Sequence, residues 1–221
     1  ITAKVVINAT GVFSDQIIQM DQPGSRKLIV PSQGVHIVLD KSFLNGPHAI
    51  MVPHTSDGRV LFAVPWNDYV VVGTTDTQIE QPLEEPIALE QENEFILDNA
   101  GAYMTTPPTR ADVKSVFSGL RPLAAPEDNG SATKEISRHH KVTVSTSGLV
   151  SILGGKWTTY RKMSEDLITT AQSVAGLPER TCITHSSPIH SYDYNSAWTN
   201  PLHVYGTDID KIQKLYEAGN T

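Results

Sequence analysis

Leu153-Gly154-Gly155-Lys156-Trp157-Thr158-Thr159-Tyr160-Arg161-Lys162 is the stretch on which the reading of this chain turns. The apolar run from Leu149 to Leu153 predicts a strand, two glycines follow, and Thr158-Thr159 open a helical pattern. Tyr160, Met163, Leu167, Ala171 and Val174 then recur at helical spacing, with Gly176 and Pro178 as stop signals. A strand, Gly-Gly and helix in succession let a flat ligand approach bare backbone and aim the helix's N–H groups at it. Lys156 adds a mobile positive charge at the same place. The device suits an anionic group, either a phosphate or a ring that becomes anionic on reduction.

Working outward, Lys4 to Asn8 predicts a buried strand, Thr10-Gly11 a turn, and Ser14 or Asp15 the cap of a short helix through Met20. From Leu28 to Asp76 the signal becomes strand and turn. Val35 to Leu39, Ala49 to Pro53, Val60 to Trp66 and Tyr69 to Thr74 are β-rich, with Asp57-Gly58 and Asn67-Asp68 marking tight hairpins of a meander. Glu90 to Ala102 predicts a helix with Leu89, Phe95 and Ile96 on its apolar face and its glutamates in solvent. Val113 to Leu120 and Val142 to Ser145 return as strands, and Ile209 to Ala218 begins a last helix after a loop-like stretch.

Composition is that of an ordinary globular protein, with 39% hydrophobic and 19% charged residues in 221. A net charge of −7 argues against general nucleic-acid binding. Cys182, the sole cysteine, excludes an internal disulfide and a multi-cysteine metal site and fits a reducing compartment. No apolar run reaches the roughly 20 residues that cross a bilayer. His139-His140, His185 and His190 show no coherent set of carboxylate partners, so no metal is expected.

Five more segments accompany the glycine turn: Val5-Val6-Ile7-Asn8-Ala9-Thr10-Gly11, Gln33-Gly34-Val35-His36-Ile37-Val38 with Val72-Gly73-Thr74-Thr75-Asp76, and Ser118-Gly119-Leu120-Arg121-Pro122-Leu123 followed by Ile136-Ser137-Arg138. In that order the set resembles the flavin-dependent glycerol-3-phosphate dehydrogenases and related glycerophosphate oxidases, strongly from Lys4 to about Met163 and more weakly through Pro201 to Gly206. The family opens with a strand–Gly-x-Gly-x-x-Gly–helix unit that this sequence does not contain. The chain is therefore read as an internal fragment of a larger enzyme, inactive by itself.

The resemblance implies an α/β and α+β architecture, an incomplete Rossmann-like FAD-binding domain carrying an inserted antiparallel β-rich substrate domain. The division expected is 1–27 in the FAD-binding domain, 28–115 in the insertion, 116–176 back in the first domain, and 177–221 as linker and start of a helical domain. It implies oxidation of sn-glycerol 3-phosphate to dihydroxyacetone phosphate, with electrons passing to a membrane quinone or to oxygen. The parent would then be cytoplasmic, with peripheral contact at the inner face of the cytoplasmic membrane.

For the residues, a guanidinium fork matches phosphate oxygens, so Arg121 and Arg138 are the expected phosphate ligands. Pro122 is expected to end the strand and leave Arg121 at its tip. His36 shares a strand face with Gly34 and Val38 and is the expected proton acceptor, or else a core histidine bonded to a carbonyl. Gly155, Lys156, Trp157, Thr158 and Thr159 would meet the pyrimidine end of the flavin, where Lys156 counts as catalytic by stabilising the reduced ring. Asn8, Thr10 and Gly11 resemble the segment passing the adenosine and pyrophosphate. Two other readings stay open: an amine- or amino-acid-oxidising flavoenzyme of the same fold, and a non-catalytic β-rich ligand-binding module.

Overall fold

The computed structural model describes residues 2–126, 139–194 and 199–219. In chain order these form β1 (Val6–Asn8), α1 (Ser14–Asp21), β2 (Ile29–Asp40), β3 (Ile50–Val52), β4 (Leu61–Trp66), β5 (Tyr69–Gly73), β6 (Thr77–Gln78), α2 (Glu90–Gly101), β7 (Ser115–Ala124), β8 (His140–Val144), β9 (Leu149–Gly154), α3 (Tyr160–Val174) and α4 (Ile209–Gly219). Ile1–Glu179 is one compact unit and Arg180–Thr221 a second.

The first unit holds two sheets. The smaller has the order β1-β9-β8, with β1 parallel and β8 antiparallel to β9. Every residue of β9 is buried, because apolar side chains cover both of its faces. Leu149 and Leu153 pack with Ile18 of α1, while Val150 and Ile152 pack with Leu167 and Ala171 of α3. A strand buried on both faces reads as a continuous apolar run, which is what Leu149 to Leu153 is. The helix begins at Tyr160, after a 3₁₀ turn over Trp157–Thr159 in which Thr159 N–H donates to the Lys156 carbonyl.

The larger sheet is antiparallel, in the order β3-β4-β5-β2-β6, with β7 along the other side of β2. Its core lies on one face only: Val35, Ile37, Leu39, Ala63, Val70 and Val72 pack against Ile96, Leu97 and Ala100 of α2. The opposite face carries Ser32, Gly34 and His36 of β2 and, in register beside them, Arg121, Gly119 and Phe117 of β7. Gly73 of β5 stands beside His36, and Phe62 of β4 beside Gly73.

Several expectations are corrected here. β2 has twelve residues, starting at Ile29, since Pro31 and Gly34 masked its first half in the sequence pattern. Pro122 does not stop β7, which runs on to Ala124, because Pro122 is paired with Pro31. Opposed antiparallel residues exchange both hydrogen bonds or neither, and two prolines need none. Arg121 therefore stands in mid-ladder. Ser14 and Asp15 are the first residues of α1, not its cap; the Asp15 carboxylate instead accepts Leu28 N–H and Ile29 N–H and fastens the start of β2. Leu89, just before α2, is half exposed while Glu92 on the helix is buried, so the helix's glutamates are not uniformly a solvated face.

In the second unit a 3₁₀ turn, His203–Asp208, leads into α4. The Asp208 carboxylate accepts from Lys211, Ser191 and His190, which push its pKa far below the usual carboxylate range. Among the described residues no helix is long and apolar enough to cross a membrane.

Candidate functional site

Two glycines make the open face of the larger sheet unusual. A Cβ added to Gly34 would fall 2.3 Å from Nη2 of Arg121, and one added to Gly73 would fall 2.4 Å from Cδ2 of His36. Arg121, reaching across from β7, thus lies flat over the bare backbone of β2, and the His36 ring lies over that of β5. Glycine in a strand interior weakens it and marks a site of close approach. Here the close approach is made by two of the candidate side chains, Arg121 and His36.

Arg121 is held in place on this face. Its Nη2 donates to Thr74 Oγ1 at 3.1 Å and its Nη1 to Ser32 Oγ at 3.4 Å. Asp76, whose side chain is almost wholly buried, sits 3.9 Å from Nη1 and accepts the Ser32 hydroxyl.

His36 is half-buried and stacked on Phe117, with centroids 5.0 Å apart and planes 10° from parallel. Burial, and then the neighbouring Arg121 charge, hold its pKa below the ordinary imidazole value. It is consequently neutral at physiological pH, and among the described residues its ring nitrogens make no hydrogen bond to protein. The alternative of a core histidine tied to a carbonyl does not describe it. Beyond it the face is apolar and accessible, with Met51, Phe62 and Phe117 each about half exposed.

The glycine turn lies at the end of β9. Gly154 and Gly155 have φ of 71° and 91°, conformations that glycine alone adopts readily. The space a Cβ would need is taken by the protein itself, by the His139 carbonyl at Gly154 and the Met163 sulfur at Gly155. The turn thus delivers exposed Lys156, Trp157, Thr158 and Thr159 to the N-terminal end of α3. Trp157 leans on Tyr160, with ring centroids 5.8 Å apart.

Asn8, by contrast, is buried and fully used inside the protein. Its Nδ2 donates to the Ser14 carbonyl and to Ser151 Oγ, and its Oδ1 accepts Thr10 N–H and the Thr10 hydroxyl. It locks the turn at Thr10 and Gly11 (φ 61°) between β1, α1 and β9. Arg138 lies outside the described residues.

Sequence reading missed Ser32, Thr74, Asp76 and Phe117 as parts of one arrangement. The signal that could have found them was the pair of mid-strand glycines, Gly34 and Gly73. It also missed that His140 finds Asp166 at 2.9 Å and His190 finds Asp208 at 2.8 Å. Among the described residues no three His, Cys, Asp or Glu side chains group as metal ligands.

A small sheet with helices on both faces, joined to an antiparallel sheet that displays polar groups on one side, defines a class, and comparison with known proteins agrees. Residues 1–161 match the family described as FAD dependent oxidoreductase, and the chain belongs to that family. More particularly, it is 39% identical over 221 residues to a probable mitochondrial glycerol-3-phosphate dehydrogenase of Caenorhabditis elegans, a match covering 97% of this chain and 30% of that protein. It is 44% identical over 184 residues to a mitochondrial glycerol-3-phosphate dehydrogenase of Arabidopsis thaliana, covering 82% of this chain and 29% of the relative. A solved glycerol-3-phosphate dehydrogenase of Bacillus halodurans, complexed with FAD, superimposes with a TM-score of 0.69 at 34% identity over 81% of this chain and 34% of that one. The chain spans less than a third of the length of these curated relatives.

Proposed function

We propose that this chain is the substrate-side part of a FAD-dependent dehydrogenase that oxidises sn-glycerol 3-phosphate to dihydroxyacetone phosphate. The observation that carries the reading is the pairing, on one sheet face, of a guanidinium laid over Gly34 with a neutral imidazole laid over Gly73. An anion binder beside a proton acceptor is what a phosphorylated alcohol requires. The kinship with glycerol-3-phosphate dehydrogenases supports the same substrate.

In this reading Arg121 grips the phosphate, with Arg138 as the second guanidinium. Ser32, Thr74 and Asp76 hold the Arg121 fork in one plane. A ring nitrogen of His36 accepts the proton of the C2 hydroxyl, and Phe117 fixes the plane of that ring. The residues present suit the cofactor: Gly155, Lys156, Trp157, Thr158 and Thr159 offer a cation and a helix N-terminus to the pyrimidine end, where Lys156 favours the reduced ring. Thr10 and Gly11 face the adenosine and pyrophosphate portion, with Asn8 as the residue that shapes their turn. FAD, when bound, is the two-electron acceptor.

The finer architecture follows from the same reading: a Rossmann-like FAD-binding domain built from 1–27 and 116–176, an inserted β-rich substrate domain over 28–115, and 177–221 leading to a helical domain. The final acceptor is a membrane quinone, or oxygen. A membrane quinone would be reached by peripheral contact of the full-length parent at a membrane face. In a bacterial cell that face is the inner side of the cytoplasmic membrane.

The test is anaerobic bleaching of the flavin absorbance in the FAD-loaded enzyme. Glycerol 3-phosphate should bleach it, glycerol far less at equal concentration, and amines or amino acids not at all. Bleaching by an amino acid but not by glycerol 3-phosphate would overturn the proposal.

A further inference from the structure

Behind the sheet, on the side away from Arg121, a buried carboxylate gathers four donors. Glu92 Oε2 accepts Gln33 Nε2 at 2.7 Å and Leu89 N–H at 2.9 Å, while Oε1 accepts the hydroxyls of Thr75 at 2.9 Å and Thr77 at 2.7 Å. Glu92 is 5% exposed. A carboxylate offers about four lone-pair positions, and here all are occupied. The Thr75 hydroxyl in turn accepts Val35 N–H at 3.0 Å, so the carboxylate is tied into β2 itself.

What makes this more than a helix cap is the alternation of the strip from Thr74 to Thr77. Successive side chains of an extended backbone point to opposite faces. Thr75 and Thr77 turn towards Glu92. Thr74 and Asp76 turn the other way, and they are the two residues of the strip that hold Arg121. Gln33 and Ser32 repeat the division on β2, Gln33 donating to Glu92 and Ser32 facing Arg121. Every bond that Glu92 makes to the strip therefore fixes a neighbour of a residue in contact with the guanidinium.

We propose that Glu92 is a positioning residue for the phosphate-binding arginine, acting through the Thr74–Thr77 strip. This rests on the reading of Arg121 given above for the substrate, but the mechanical part, that Glu92 sets where Arg121 lies, stands apart from what Arg121 binds.

The experiment uses the FAD-loaded full-length enzyme with Glu92→Ala, Glu92→Gln, Thr75→Val and Thr77→Val, each alone and with Arg121→Ala. Inhibition by inorganic phosphate, KM and kcat for glycerol 3-phosphate, and melting temperature are measured. Glu92→Ala should weaken phosphate inhibition and raise KM by about ten-fold, with a smaller change in kcat, and should add nothing in the Arg121→Ala background. Glu92→Gln should restore phosphate inhibition to within about two-fold, because its carbonyl serves Gln33 and Leu89 while its NH₂ group donates to hydroxyls that also accept. Each Thr→Val change should fall between the two, and these keep the comparison available if Glu92→Ala fails to fold. A lowered melting temperature with native phosphate inhibition, or a Glu92→Ala effect that persists in full without Arg121, would overturn the proposal. If Arg121→Ala itself leaves phosphate inhibition unchanged, the reading of Arg121 has failed. A crystal structure of the Glu92 variant then decides the mechanical part: the guanidinium displaced from Gly34 upholds it, and the guanidinium unmoved refutes it.

Discussion

Replacing Gly34 with Ala probes the arginine without touching it. The new Cβ would lie 2.3 Å from Nη2, 2.6 Å from Nη1 and 2.7 Å from Cζ of Arg121. Ordinary contact begins near 3.5 Å, so the guanidinium must withdraw by about 1 Å. It is the far end of a flexible side chain, so the fold accommodates the change. Gly34 has no positive φ, and alanine in a strand interior is favoured over glycine by roughly 0.5–1 kcal/mol. The bonds to Thr74 and Ser32, at 3.1 Å and 3.4 Å, do not survive such a shift in their present geometry. A charge-assisted contact to phosphate contributes about 1.5–3 kcal/mol, so affinity should fall roughly ten- to a hundred-fold. Phosphate inhibition and KM for glycerol 3-phosphate report this, alongside melting temperature and FAD content, both of which should stay native. Gly119→Ala, opposite on β7, places its methyl where nothing lies within 4 Å and serves as the control. Native phosphate affinity in Gly34→Ala, with the protein folded and FAD bound, would refute the assignment of Arg121.

Two further outcomes are expected. Because burial and Arg121 hold the His36 pKa below its usual value of 6.5, the unfolded chain binds more protons than the folded one just below that pH. Stability should fall as pH drops from about 6.5 towards the folded pKa, and Arg121→Ala should move the acid limb of the kcat/KM profile upwards; urea midpoints and kinetics across pH 5 to 8 check both, and a profile indifferent to Arg121 counts against the pairing. Asn8→Ala removes a buried amide that serves four bonds and should cost about 1–3 kcal/mol in stability, with weaker FAD retention but an unchanged response to phosphate; a native melting temperature would contradict the locking role.

Much of the fold was legible because its signals are local. The run Leu149 to Leu153, the glycine pair after it and the Met163, Leu167, Ala171 stripe each carry their meaning within a few residues. What hid was whatever depends on a partner distant in sequence. Pro122 reads as a stop until Pro31 is placed opposite it. Glu92 reads as one acid among several on α2 until Thr75, Thr77 and Gln33 are brought beneath it. His36 and Arg121 were each legible as candidates, but their neighbourhood depends on β2 pairing with β5 and β7 at once, and no periodicity within either segment contains that.

The twelve residues of β2 also act as a gauge. Hydrogen-bonded to β5 and β6 along one side and β7 along the other, the strand admits no stretching between its rungs. Gly34, under the guanidinium, and His36 are one side-chain repeat apart, roughly 7 Å along the chain. If Arg121 and His36 meet the substrate as proposed, such a rigid spacing grades substrates by length before any pocket wall does: a compact molecule with its anion a few bonds from its hydroxyl meets both groups together, and a longer homologue overshoots one of them. Altering chain-length preference would therefore require a change of rung, moving the arginine or the histidine by two residues along its strand, because enlarging the space around them leaves the interval untouched.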